Sequence, residues 1–348
     1  MFLAWKEIKY NKGRFSLIIA LIVLVSYLVY FLSALAYGLA SSYTNGINKI
    51  DGDVIYLSDD SNDNIMMSML SDKDFDNLAL SKKAKLGLFP AVIFKENSNK
   101  DSKKEVFVFG VEDLNFFLPN NNIVLESNQI IIDDSVKDLG YEIGDFISIS
   151  GSNLQWEIKS FVKKSTYQTA PIIYVSLDDW KEYRFNDRNI DLFNAIWSSG
   201  EILEVENLKA ITLKDYIKTL PGYTAQVLTF SLMIFFLIVI IAFVLGIFIY
   251  VLTIQKQNIF GVMKVQGIST SYIGNSVIIQ TLILVLIGSV LGFILTFSSG
   301  ALLKGIVPFA NNYLFYTIIT IMFFTFAILG ALFSYKAITK IDPVKAIG

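Results

Sequence analysis

The chain has 348 residues, of which 53% are hydrophobic and only 17% charged, against about a quarter charged in an ordinary soluble domain. It has no cysteine and no histidine, which excludes a disulfide scaffold and any Cys/His metal centre. The formal net charge is −2, so the distribution of charge along the chain carries more than its sum, and no nucleic-acid partner is expected.

Residues 1–14 place Phe2, Trp5 and Ile8 at helical spacing, with Lys6, Lys9, Lys12 and Arg14 on the other side. This predicts a cytoplasmic helix lying at the bilayer surface, with the lysines in water. No charge occurs from Phe15 to Asn48. The apolar part of that run exceeds both the 7–15 residues of a signal-peptide core and the ~20 needed to span a bilayer. A first membrane helix is therefore expected over 15–40.

Composition then changes. Residues 41–221 hold short apolar runs bounded by turn residues: Val54–Leu57, Leu86–Phe94, Val106–Val111, Gln129–Ile132, Phe146–Ile149, Trp156–Val162 and Ile172–Val175. These read as strands. Asp72–Leu80, Leu177–Phe185 and Leu213–Thr219 read as helices, and Ser61–Ser71 and Glu96–Lys104 as mobile loops. The expectation is one extracellular α/β domain with its own core.

Three more uncharged runs follow. They predict membrane helices over 222–254, 270–298 and 313–335, with a connector at 255–269, a short extracellular loop at 299–312 and a cytoplasmic tail at 336–348. Val227–Ile254 alone would be about 42 Å long at 1.5 Å per residue, more than a ~30 Å hydrocarbon core requires. The N-terminal segment, connector and tail together carry nine basic and two acidic residues, whereas the large domain carries 19 basic and 29 acidic. Short basic loops stay in the cytoplasm. Both termini and the connector are thus expected inside and the α/β domain outside, on a Gram-positive cell membrane.

No phosphate-binding loop, no G-x-S-x-G and no H-E-x-x-H occurs. The predicted spans hold no ionisable residue in their middles, where an ion-coupled transporter normally places one. The chain has no energy source of its own and no catalytic constellation, so a non-enzymatic role beside an energised partner is expected.

One helix, a large extracellular domain and three further helices is an order that resembles the MacB/FtsX-type permeases of ABC transporters, over essentially the whole chain. Trp5-Lys6-Glu7-Ile8 leads into the first span. Ile259-Phe260-Gly261-Val262-Met263-Lys264-Val265-Gln266-Gly267 is similar to the family's E-x-G-[IV]-[LM]-[KR]-A-[IL]-G, with Ile259 where Glu is usual and Val265 where Ala is usual. Lys340-Ile341-Asp342-Pro343-Val344-Lys345-Ala346-Ile347 is similar to its closing hDPhxAh, and Gly144-Asp145 to its GD-x-h-x-h segment.

The resemblance implies a cytoplasmic ATPase, present in two copies and holding ATP-Mg, against which a homodimer of this chain docks through the connector. Phe260, Gly261, Val262, Met263, Lys264 and Gly267 are the coupling residues this implies. It also implies transmission of ATP-driven motion along the long first and second spans. Small residues there (Ser33, Ala34, Ala36, Gly38, Ser231 and Gly246) permit close helix contact, within one chain or between two.

Among such permeases the chain is similar to the short haem-exporter type, through Leu35-Ala36-Tyr37-Gly38-Leu39, Thr253-Ile254-Gln255-Lys256 and the terminal Asp342-Pro343-Val344-Lys345-Ala346-Ile347-Gly348. Haem as substrate is then implied, with no cofactor resident in this chain. Tyrosine is an available axial ligand. Tyr167, Tyr223, Gln226 and Leu28 are the candidate substrate positions, although Gln226 and Leu28 stand where haem exporters tend to carry Glu and Met. Export of an antimicrobial peptide, drug or lipid-like toxin, and regulation of an extracellular cell-wall hydrolase, remain the alternatives.

Overall fold

The computed structural model describes residues 2–95, 103–119, 123–152, 154–303 and 305–339. In chain order the helices are α1 (Phe2–Tyr10), α2 (Lys12–Thr44), α3 (Asp72–Asn77), α4 (Leu114–Phe117), α5 (Leu177–Phe185), α6 (Leu213–Thr219), α7 (Tyr223–Gln255), α8 (Gln257–Val265), α9 (Thr270–Leu302) and α10 (Tyr313–Thr339). The strands are β1 (Val54–Ser58), β2 (Lys83–Phe94), β3 (Lys104–Val111), β4 (Gln129–Asp133), β5 (Phe146–Ile149), β6 (Gln155–Val162), β7 (Thr166–Tyr167), β8 (Ala170–Ser176), β9 (Ala195–Ser198) and β10 (Leu208–Thr212). The closing Lys340–Ile347 motif and most of the predicted 96–104 loop lie outside the described residues.

Two compact units form: residues 1–38 with 228–348, and residues 39–227. Among the described residues four helices, α2, α7, α9 and α10, are long and apolar enough to cross a membrane; the first unit holds most of each, and the second holds the end of α2 and the start of α7. α2, α9 and α10 each extend past the apolar windows of 15–40, 270–298 and 313–335. Apolarity marks what lies in lipid, whereas a helix continues as long as its backbone bonds do.

α2 and α9 pack through small residues. Gly288 and Gly292 sit four apart on α9, the spacing that lets helix backbones approach. A Cβ at Gly292 would lie 2.1 Å from Ser26 Oγ and 2.8 Å from the Tyr27 nitrogen. The gap left by the missing side chains admits a polar bond, Ser26 Oγ donating to the Gly288 carbonyl at 3.0 Å. The small residues expected to mediate contact in the first span also pack within the chain: Ser33 and Ala34 are buried, and a Cβ at Gly38 would strike the Pro308 carbonyl. Ser231 is exposed.

The second unit is an extracellular α/β domain built on one mixed ten-stranded sheet of order β10-β1-β9-β2-β3-β8-β4-β6-β5, with β7 hairpinned onto β8 and the long β2 also pairing β5. The β3–β8 and β4–β6 pairs are parallel. Alternation along β3 divides the core between the two faces of the sheet. Val106 and Val108 join the cluster containing Trp156 and Trp180, while Phe109 and Val111 join the one containing Tyr167, Tyr174, Trp197 and Tyr216.

α5 and α6 occupy the segments expected of them, each with an N-cap hydroxyl: Ser176 accepts from the Asp179 nitrogen and Thr212 from the Asp215 nitrogen. β7, β9 and β10 were not legible as strands; each has five residues or fewer and is defined by its partners. Ser61–Ser71 corrects the expectation of a mobile loop. Ile65, Ser68 and Leu70 are buried, the Asn194 amide donates to the Ser68 carbonyl at 2.8 Å, and Leu70 bridges Phe193.

If the α2–α9 contact depends on backbone proximity, Gly292→Val should lower thermal stability of the detergent-solubilised chain by about 1–3 kcal/mol through overpacking. Gly13→Ala, where an added Cβ meets nothing within 4 Å, should be neutral or stabilising by up to ~1 kcal/mol. Differential scanning fluorimetry of the two variants checks both.

Candidate functional site

The connector is a discrete helix. α7 ends at Gln255, Lys256 takes φ −100° and ψ 8°, and α8 restarts at Gln257. The turn is held from the side. Lys256 Nζ meets Glu7 Oε2 of α1 at 2.7 Å, with both side chains largely buried, and it also lies 5.4 Å from the centre of the Phe15 ring. Arg14 Nη1 donates to Gln255 Oε1 at 3.2 Å. Glu7 thus holds the lysine at the bend.

The other end of α8 stops on glycine. Gly267 has φ +85°; its N–H donates to the Lys264 carbonyl and that of Ile268 to the Met263 carbonyl, both at 3.0 Å. These two bonds make a Schellman cap. A Cβ at Gly267 would touch nothing within 4 Å, so this glycine is required by backbone conformation and not by close approach.

The six connector positions divide between two faces. Phe260 and Gly261 are buried; Phe260 is 1% exposed in the membrane unit's own core, and Met263 packs against the same cluster. Lys264 Nζ donates to the Ile338 carbonyl of α10 at 2.8 Å. The expectation that Phe260 offers an outward contact is therefore corrected: the amphipathic period turns its ring inward. Val262 and Gly267 face outward, with Ile259, Val265 and Gln266 beside them. Ile259 (58% exposed), Val262 (41%) and Val265 (52%) stand three residues apart, which aligns them on one side of the helix. The motif match marked Ile259 and Val265 only as departures from the family pattern and not as coupling residues; the i, i+3 spacing around Val262 was the signal for them.

The candidate substrate residues are not gathered into one place. Tyr167 is 1% exposed, its ring between Phe107 and Phe109 and its hydroxyl bonded to that of Tyr216 at 2.6 Å. Burial pushes the phenol up to about 12, outweighing the hydrogen bonds from Tyr216 and Gln168 that lower it. An axial tyrosinate needs the opposite shift and an open face, so Tyr167 is corrected from a ligand position to a core residue.

Tyr223 and Gln226 are half-buried on the first turn of α7, and Tyr223 lies edge-on to Tyr43 with ring centres 5.8 Å apart. Leu28 belongs to the other unit, on the mid-portion of α2, and is 37% exposed. Among the described residues no three carboxylates cluster to hold a metal.

Next to these lies an anchoring feature that the motifs did not reveal. The last turn of α2, within the extracellular unit, leaves carbonyls without helical partners. The β7–β8 hairpin supplies them: Gln168 N–H donates to the Tyr43 carbonyl at 3.1 Å and Thr169 N–H to the Ser42 carbonyl at 3.2 Å. Both hairpin residues take positive φ, +46° and +73°. Gly46 N–H adds a 2.8 Å bond to the Thr166 carbonyl.

The model of the FtsX-like permease C-terminal domain matches residues 231–343. A putative hemin transport system permease protein, HrtB, of Staphylococcus epidermidis is 28% identical over 100% of this chain and 99% of its own length. Its namesake in Staphylococcus haemolyticus is 24% identical over the same shares. Among solved structures, the periplasmic region of MacB from Actinobacillus actinomycetemcomitans aligns at a TM-score of 0.34 and 10% identity, over 51% of this chain and 97% of that one. The extracellular domain of the Gram-positive ABC-type transporter YknZ aligns at 0.31 and 9%, over 43% and 83%. The domain match covers α7–α10 and the likeness to the staphylococcal permeases runs end to end, so this chain, with four helices apolar enough to cross the cell membrane among its described residues, is similar to FtsX-like permeases of ABC transporters.

Proposed function

We propose that the chain is the membrane half of an exporter in which a separate cytoplasmic ATPase drives expulsion of a membrane-partitioning substrate, with haem the first candidate. The observation that carries the substrate class is the likeness, over the full length of both chains, to permeases named for hemin transport. Two copies of this chain would engage two ATPase subunits, because an ABC cycle closes two ATP sites and each chain brings one connector.

In this reading α8 meets the ATPase through Ile259, Val262 and Val265, while Phe260 and Met263 tie the helix to its own bundle. A push on the outer face is then felt by α7 through the Lys256–Glu7 bend. α2 and α7 are unbroken helices of 33 residues each, and a continuous hydrogen-bonded rod carries displacement along its axis better than a loop does. The hairpin cap on α2 and the Tyr43–Tyr223 contact would receive that displacement in the extracellular domain. ATP-Mg belongs to the partner; this chain's part is positioning and transmission.

Tyr223, half-buried where Tyr167 is sealed in the core, would meet the substrate, with Gln226 one turn along. Gln226 carries no strong iron ligand and Leu28 none, which favours peptide, drug or lipid-like cargo should haem fail. A hydrolase-regulating role would leave ATP turnover indifferent to all of these.

The assembled permease–ATPase complex is expected to shift the Soret band of added haem and to hydrolyse ATP faster with it, and Tyr223→Phe should weaken both. Stimulation by amphipathic peptides alone would replace haem as cargo, and no stimulation by any small molecule would point to the regulatory role. For coupling, Val262→Asp should cut substrate-stimulated hydrolysis by about tenfold, the loss of one well-packed contact of ~1.4 kcal/mol, with the variant still purifying as a folded chain. Phe260→Asp should instead reduce the yield of folded protein, because a carboxylate would enter the core unpaired. Normal coupling in Val262→Asp argues against α8 as the docking helix.

A further inference from the structure

Gln280 on α9 carries an amide that the membrane unit buries without a partner. The residue lies about 15 Å along the helix from Thr270 at 1.5 Å per residue and is 6% exposed. Its Nε2 is buried with no hydrogen-bond partner among the described residues. An amide N–H sealed from water is costly to leave unpaired, and more so within a bilayer, where bulk solvent does not reach it.

The same side chain lines a cavity of about 20 Å³ at the α7–α8 bend, whose polar lining is completed by Thr253, Lys256 and Thr281. Phe15 and Phe260 are among its apolar walls. Roughly 10–15 Å³ is enough for one water molecule, and cavities that stay dry are apolar. This one is too small for a lipid chain and too polar to stay dry. The hydroxyls fix what a water there can do. Thr253 Oγ1 donates to the Ile249 carbonyl at 2.8 Å and Thr281 Oγ1 to the Val277 carbonyl at 2.9 Å. Both have used their only proton, so toward the cavity they can only accept. Lys256 is donor-only, with three N–H groups, one of which goes to Glu7.

We infer that the cavity is a binding site for a single ordered water, which accepts from Gln280 Nε2 and Lys256 Nζ and donates to Thr253 Oγ1 and Thr281 Oγ1. Two donors and two acceptors satisfy a water molecule completely. A cation of the same size would meet the Lys256 ammonium in the wall. The water ties the last turn of α7 to α9, with Phe260 of α8 against it. The connector thus rests on a hydrogen-bonded joint as well as on apolar packing. This site is independent of what the permease exports.

The test is X-ray radiolytic footprinting of the full-length chain in lipid nanodiscs. A bound water forms hydroxyl radicals in place and oxidises the side chains that touch it, which mass spectrometry locates. Phe260, although 1% exposed, should be oxidised, whereas Phe323, 0% exposed in the same cluster, should not. Gln280→Met with Thr281→Val removes one donor and one acceptor at similar volume, and should bring Phe260 down to the level of Phe323. Thermal unfolding gives a second readout. Gln280→Met alone should lower the melting temperature, because the water loses a partner; in a dry cavity the same change removes an unpaired amide and raises it. Unchanged elution and far-ultraviolet circular dichroism verify folding. An unoxidised Phe260 in the unsubstituted chain, oxidation that persists in the double variant, or an equal or higher melting temperature for Gln280→Met would each overturn the assignment.

Discussion

The hydrogen bonds that close the end of α2 set the terms for the rest of the molecule. A helix arriving from a membrane ends with carbonyls that need partners, and here the donors are two N–H groups from a two-residue hairpin turn, at Gln168 and Thr169. To present them, both residues adopt left-handed backbone conformations, which for non-glycine residues cost on the order of 1–3 kcal/mol each. Thr169 is the more strained because it is β-branched. That cost is offset where the hairpin's own ladder to β8 and the Gly46–Thr166 bond hold the turn in shape. The result is a helix end that belongs to the sheet domain's hydrogen-bond network and cannot fray as a free terminus would.

The cytoplasmic end of the bundle uses different means for a similar purpose. α8 is short, so neither its start nor its finish is set by helix propensity alone. Lys256 interrupts the helix and is gripped by Glu7; Gly267 ends it because the cap needs a positive φ. Between those points the side chains sort by period, Phe260 and Met263 inward and Ile259, Val262 and Val265 outward. A charge pair this shielded is costly to break from one side, because the surviving partner stays desolvated. That favours one fixed orientation of the connector over a swinging one.

The four candidate substrate residues illustrate how far residue types reach. Tyr167, Tyr223, Gln226 and Leu28 are separated by sequence distances that say nothing about exposure. Tyr167 lies on a strand of two residues paired with β8, a context too short for periodicity to assign a face. The fold seals it beneath Phe107 and Phe109. Tyr223 opens a helix at the end of the extracellular unit and keeps one side open. The polar Ser61–Ser71 stretch shows the same effect in reverse: its composition reads as a loop, yet Ile65, Ser68 and Leu70 are buried because Asn194 and Phe193 bond across to it.

The membrane spans, their number, the α/β nature of the domain between the first two, and the existence of a basic connector were all determined by the sequence alone. Those properties depend on sums over many residues, hydropathy and charge over tens of positions, and no single contact can reverse them. The two helices α5 and α6 were legible too, since a capping hydroxyl followed by an apolar period is local information. Only the tertiary structure decided which connector residues face outward, that Glu7 answers Lys256 across 249 positions, that Gly288 and Gly292 receive α2, and that Tyr167 is core. Each of those rests on a partner remote in the chain, and remote partners leave no periodic trace in a single sequence.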